Sequence, residues 1–427
     1  MKNILKKTLL CALCIANLSV YVACGASDET LNSASGDYAS HEKSDIGYYD
    51  DVAVDDAVAE DGESIEDVNS NGVLGDSSLT NDDDAFGILT AGEWNDNQNW
   101  GFFTNLLSTG LVQFPDYTLV SINRVKVVVK DSSNDVVVNA NVKALDTNGN
   151  TLWSSVSDKD GIAYLFLEDK DCTSIDKVEI SYNGEVQQYS LTLSSEQDSS
   201  NVGQSGLNLI DTQVEYVFDT PTERYSNTQV MFILDTTGSM GDEMFYLQRE
   251  FSGIAKTIGT DNVQYSVNFY RDKGDEYVTK CNDFTNDIQT VQQLLNNENA
   301  EGGGDEPEAV AEILKQTITD GQGDSHAVKV AFLIFDAPPH EGTKAVLDEA
   351  IKVASTNGIK IVPVVSSNTN RETEVFARSL SIYTNGTYIF LTDDSGVGGE
   401  HLEPIIGDYK VEKLKDIIIR VVKQYQQ

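Results

Sequence analysis

Apolar and polar positions follow three regimes along this chain. From about residue 120 to 220, apolar residues alternate with polar ones: Val125, Val127, Val129, then Val178, Ile180, Tyr182, then Tyr189, Leu191, Leu193. Turn-forming clusters such as Asp131-Ser132-Ser133-Asn134, Asn148-Gly149, Asp158-Lys159-Asp160-Gly161 and Asn183-Gly184 separate the runs. Period two with turns at short intervals predicts an all-β sandwich. Beyond Asn227 the runs change: Val230–Leu234 is wholly apolar and Val328–Phe335 almost so, with further strands expected at Val263–Tyr270, Ile359–Val365 and Thr387–Leu391. Amphipathic faces lie between them, first Met244, Leu247, Phe251, Ile254, Ala255 and Ile258. Others are Ile288, Val291 and Leu294, then Thr343–Thr356 stopped by Asn357-Gly358, Val375–Ile382, and a closing helix over Val411–Val422. Strands buried on both faces, alternating with helices, predict a doubly wound, mostly parallel, Rossmann-like α/β sheet. Tyr277–Thr279 is expected as a short edge strand.

The third regime is the N-terminus. Lys2, Lys6 and Lys7 precede an apolar run from Thr8 to Val22, which ends in Ala23-Cys24-Gly25. A basic start, a short apolar segment and a small-residue exit form a secretory signal, and the run is too short to span a bilayer comfortably. Cys24 after Val22-Ala23 resembles the lipobox of bacterial lipoproteins, although Tyr21 departs from its pattern. That resemblance implies lipid on Cys24 and a protein anchored at the bacterial cell envelope, on the outer membrane or cell surface. An ordinary signal cleaved nearby is the alternative. The expected organisation is a signal over 1–23, an acidic linker over 24–88 and an aromatic-rich docking segment over 89–119. A β-module over 120–220 and an α/β domain over 227–427 follow.

Charge sharpens this division. The 427 residues carry a formal net charge of −40, which excludes nucleic acid as a partner. Eighteen acidic residues stand against the lone Lys43 between Ala26 and Asp84, with few large apolar residues, so the linker is expected to be disordered and self-repelling. Of five cysteines, Cys11 and Cys14 fall in the signal, and Cys172 and Cys281 lie too far apart in sequence to suggest a disulfide framework. Both are expected as buried thiols.

Candidate chemistry concentrates where apolar strands end. Val230–Leu234 runs into Asp235-Thr236-Thr237-Gly238-Ser239, placing a carboxylate and two hydroxyls at alternate positions of a strand-end loop. Open α/β sheets bind ligands there, and oxygen donors suit Mg²⁺, Mn²⁺ or Ca²⁺. Val328–Phe335 runs into Asp336, and Gly302-Gly303-Gly304-Asp305-Glu306-Pro307-Glu308 opens a further helix. These three loops together resemble the von Willebrand factor A family and its metal-ion-dependent adhesion site, over about Val230–Val422.

The resemblance implies that Thr237 and Ser239 ligate the cation through their hydroxyls, with Asp235 and Asp336 binding directly or through water. A partner, through an acidic group, would complete the shell. The family often uses a threonine in the second loop, and none stands between Glu301 and Glu308. Asp305 is the nearest replacement, then Glu306; alternatively Asp305 caps the following helix with Glu308 completing a capping box. Asp272 reads as half of a surface pair with Arg271, the alternative being support behind the cation ligands; His340 is placed as a ligand or base but is not expected to serve as one, and His326 and His401 have no visible partner. An enzyme reading also exists. An apolar strand followed by Asp-x-Thr-Gly resembles haloacid-dehalogenase-type phosphatases, which would make Asp235 a nucleophile and have Asp393-Asp394 hold Mg²⁺. Thr237 stands where those enzymes carry a second acid, so non-catalytic binding of a protein or other ligand is the primary expectation.

Overall fold

The computed structural model describes residues 89–119, 121–193, 210–321, 323–395 and 401–426. Cys24, the signal and the acidic linker lie outside the described residues. Among those described, no helix is long and apolar enough to cross a membrane.

The chain enters as strand β1 (Thr90–Trp94) and helix α1 (Trp100–Thr109). The β-rich module follows: β2 (Asn123–Asp131), β3 (Asn141–Asp146), β4 (Thr151–Val156), β5 (Ile162–Leu167), the single turn α2 (Asp169–Cys172), β6 (Ile175–Tyr182), β7 (Glu185–Ser190) and β8 (Asp211–Phe218). They form a three-stranded sheet, β5-β2-β8, and a four-stranded sheet, β4-β3-β6-β7. The period-two residues explain the arrangement. Val125, Val127 and Val129 are fully buried, and so are Val178 and Ile180 on the other sheet. Asp158-Lys159-Asp160-Gly161 is a tight turn in which Gly161 N donates to the Asp158 carbonyl at 2.9 Å.

The C-terminal domain contains β9 (Asn227–Asp235), α3 (Gly241–Ile258), β10 (Val263–Tyr270), β11 (Thr279–Lys280), α4 (Ile288–Asn296) and α5 (Val310–Leu314). It continues through β12 (Ala327–Phe335), α6 (Lys344–Thr356), β13 (Ile359–Val365), α7 (Arg371–Tyr383), β14 (Tyr388–Thr392), β15 (Glu412–Lys413) and α8 (Leu414–Tyr425). The strand order is β11-β10-β9-β12-β13-β14-β1-β15. The run β10-β9-β12-β13-β14 is parallel, whereas β1 and the edge strand β11 are antiparallel. β9 sits mid-sheet with Val230, Phe232 and Leu234 packed on the α3/α8 side and Met231 and Ile233 on the other, so both faces are covered.

Three readings need correction. Val411 does not open the closing helix: Glu412–Lys413 pairs with β1, and the helix starts at Leu414. The segment expected only to dock instead supplies β1 to the large sheet, with Thr90 to Trp94 paired along β14. Its Asp96 then meets Arg378 at 2.7 Å, both fully buried, while Glu374 reaches the same guanidinium at 3.3 Å. Finally, Cys281 is exposed and Cys172 only half-buried.

Candidate functional site

Strand β9 delivers Asp235 at its C-terminal end, 1% exposed. The chain then turns so that alternate side chains face opposite ways. Thr236 looks back, its hydroxyl donating to the Tyr270 carbonyl at 2.9 Å and meeting the Tyr277 hydroxyl at 2.6 Å. Thr237 looks forward, donating its backbone N–H (2.9 Å) and its hydroxyl (2.7 Å) to Asp235 Oδ1. The Ser239 hydroxyl lies 3.4 Å from that of Thr237, exposed at the mouth.

Backbone bonds hold the glycine loop against this turn. Gly238 N donates to the Gly302 carbonyl (3.1 Å), and Glu301 N to that of Thr236 (3.0 Å). Gly303 has φ +74°, and a Cβ there would stand 3.1 Å from Glu308 Oε1 and 3.3 Å from Thr237 Cβ. Only glycine meets both the left-handed backbone and the close approach without strain. The third loop follows β12, the strand beside β9, and supplies Asp336, which is 7% exposed. Glu308 N donates to the Pro338 carbonyl at 2.9 Å, tying the second loop to the third.

The loops gather acids where water is scarce. Burial, then the charge of Asp336, pushes the Asp235 carboxyl up to about 7, against the pull of its Thr237 bonds. Burial, then the charges of Asp235, Asp272, Asp336 and Asp275, pushes Glu308 up to about 9. Asp336 is also raised by burial, opposed by the Ser239 hydroxyl, and Glu243 by burial despite bonds from Ser367. Asp235 Oδ2, Asp336 Oδ1, Glu308 Oε2 and Glu243 Oε2 are buried with no hydrogen-bond partner. Buried acceptors without donors are costly, and a hard divalent cation supplies the missing positive charge. The donor chemistry therefore fits Mg²⁺, Mn²⁺ or Ca²⁺, with Asp235, Thr237, Ser239 and Asp336 as the residues that would hold it. Among the described residues no three His, Cys, Asp or Glu side chains stand ready as a metal cluster, so the set rests on acids and hydroxyls together.

Asp235, Thr237, Ser239 and Asp336 thus lie together at one strand end. Asp305 and Glu306 are both exposed, and the charge of Glu306 reaches Asp336 and raises its carboxyl. Asp305 does not cap a helix, because α5 begins at Val310 with Ala309 at its cap. Glu308, 4% exposed, is the second-loop acid that turns inward, in register with Pro339. Sequence reasoning missed it because the three-residue spacing from Asp305 imitates a capping box. Its one signal was an acid directly after Pro307, which is barred from donating a backbone hydrogen bond.

Asp272 also changes partner, from Arg271 to His340. Arg271 turns to buried Glu298 at 3.3 Å, and Asp272 accepts a hydrogen bond from His340 Nε2 beside the acidic cluster. The phosphatase arrangement does not assemble. Asp393 follows β14, which is three strands from β9, and bonds His401 Nδ1 at 2.7 Å instead of approaching Asp235.

Residues 229–399 match the family model of the von Willebrand factor A domain. A curated relative, an ariadne-like RING finger protein of Acanthamoeba polyphaga mimivirus, is 24% identical over 179 residues. That match covers 37% of this chain and only 18% of the relative, so the chain spans about a fifth of its length. A similar solved structure is the conserved hypothetical protein BatB from Bacteroides thetaiotaomicron, 14% identical, covering 47% of this chain and 98% of that one with a TM-score of 0.34.

Proposed function

We propose that this C-terminal von Willebrand factor A domain is a divalent-cation-dependent binding module that captures a protein or other ligand at the β9 strand end. The observation that carries the proposal is the set of buried, unpartnered oxygens of Asp235, Asp336 and Glu308 beside the Thr237 and Ser239 hydroxyls. Bound there, the cation supplies a positive centre with a coordination position open to a partner's oxygen. Asp235 and Asp336 balance its charge, Thr237 orients Asp235 through two hydrogen bonds, and the exposed Ser239 stands at the rim where a partner arrives. Burial, then the neighbouring acids, favours the protonated form of Glu308, so this residue tunes how much positive charge a partner's acidic group meets. The domain would be displayed on the bacterial envelope by lipid on Cys24, at the end of the acidic linker.

Titration of Mg²⁺, Mn²⁺ and Ca²⁺ into the metal-free chain, followed by partner capture from envelope extracts, tests the proposal. One bound cation and a partner released by chelator and by Asp235→Ala are the expected results. Absence of cation binding in the wild type refutes it. For Cys24, mass spectrometry of the mature N-terminus should find an acylated cysteine; an unacylated start elsewhere removes the anchor from the proposal.

A further inference from the structure

A cavity of about 190 Å³ opens where the β-module meets the strand-start edge of the large sheet. Lys329, near the start of β12, lies seven residues before Asp336, so this cavity is roughly 23 Å from the cation site.

Its walls reverse the character of the chain. Lys159, Arg224, Lys329 and Lys360 face one acid, Asp158, in a protein with 29 basic and 69 acidic residues. Asp158 is already engaged. Its Oδ1 accepts from Asp160 N and Ile162 N, and its Oδ2 from Asn385 Nδ2 at 2.8 Å. Lys159 pairs with Asp160 at 2.8 Å, and Lys329 donates to the Asp324 carbonyl at 2.9 Å. Lys360 is different. It is 7% exposed and, among the described residues, its ammonium has no hydrogen bond or ion pair. Burial depresses its pKa, and the charge of Asp158 only partly offsets this. The stem of Lys360 is buried while its ammonium keeps access to the cavity, so an anion entering there meets a cation with no partner of its own. Arg224 on the rim is exposed and likewise unpaired among the described residues.

We propose that this cleft binds a small organic anion, a carboxylate or a phosphate ester, whose oxygens pair with Lys360 and Arg224. The volume is that of about six waters, too large for a bare oxyanion and right for one with a short organic body. Val138, Val156 and Val328 provide apolar wall for that body, and Asn139 and Asn357 provide amide donors. The walls come from both the β-module and the C-terminal domain, so the bound anion ties the two together.

The test uses the full chain in EDTA, which takes the cation site out of play. Glycerol 3-phosphate and succinate are titrated by calorimetry and thermal unfolding against sodium chloride of equal ionic strength. Binding of one molecule with a raised melting temperature is expected, weakened at least tenfold in Lys360→Met and measurably in Arg224→Ala. The Arg224 change lies on the exposed rim and keeps the test open if the buried variant folds poorly. A response to glycerol 3-phosphate but not succinate, or the reverse, assigns the phosphate or carboxylate class. No response to either beyond that of chloride, or a response unchanged in both variants, overturns the proposal.

Discussion

Replacing Asp235 by asparagine should move the metal-free and metal-loaded protein in opposite directions. The carboxyl is pushed from 3.8 to about 7 by burial and by Asp336. A raised folded-state pKa means that the folded protein holds the proton more tightly than the unfolded one. Its stabilisation is complete below about pH 4 and is lost as pH rises to about 7, at about 1.4 kcal/mol per tenfold. By pH 8 the upper bound is ~4 kcal/mol, and relaxation around a coupled pair brings the expectation to about 2 kcal/mol. Asparagine keeps the oxygen that receives the two Thr237 bonds and replaces the unpartnered Oδ2 by an N–H₂ in the field of Asp336. Metal-free Asp235→Asn should therefore melt roughly 4–8 °C above metal-free wild type at pH 8, with the difference closing by pH 4. With cation at a hundredfold excess over its Kd, the wild type should gain about 2.7 kcal/mol and the variant almost nothing. Calorimetric melting of both proteins in EDTA and in Mg²⁺ across pH 4–8 reads all four states. If the variant is less stable than wild type in EDTA at pH 8, and wild type ignores cations, the acid is a structural acceptor and the reasoning fails.

Glu308→Gln should weaken cation binding by about tenfold, or ~1.4 kcal/mol, and remove about one proton from those released on binding. Calorimetry in buffers of different ionisation enthalpy measures that proton, and an unchanged count would separate Glu308 from the site. Gly303→Ala forces a side chain into a left-handed backbone between Glu308 and Thr237. It should cost about 1–3 kcal/mol and blunt the cation response, as read by urea unfolding with and without metal. A loss under ~0.5 kcal/mol would show that the loop adapts freely. Arg378→Met leaves Asp96 buried without its cation, while Glu374 keeps Arg371, so urea unfolding should show a loss of about 3–5 kcal/mol. A loss below ~1 kcal/mol would mean that the N-terminal segment adds little to the sheet.

The sequence by itself carried whatever depends on local periodicity. Predominantly apolar runs marked β9, β12 and β13, because a strand covered on both faces has little polar side to show. Asp235, Thr237 and Ser239 were legible because their positions alternate within one turn, and Asp336 because it ends the other such run. What the tertiary structure decided was every relation set by the direction of a side chain or by distant pairing. Thr90–Trp94 has no apolar alternation of its own, and becomes a strand only because β14 and β15 offer their edges. Asp305 and Glu308 are equivalent on paper, yet the bond from Glu308 N to the Pro338 carbonyl turns one inward and leaves the other in water. The partner of Asp272 is His340 and that of Asp96 is Arg378, each on a distant element, so no spacing along the chain encodes them. A carboxylate or an ammonium takes its chemical character from what surrounds it, and that is known only once the loops and the two domains have met.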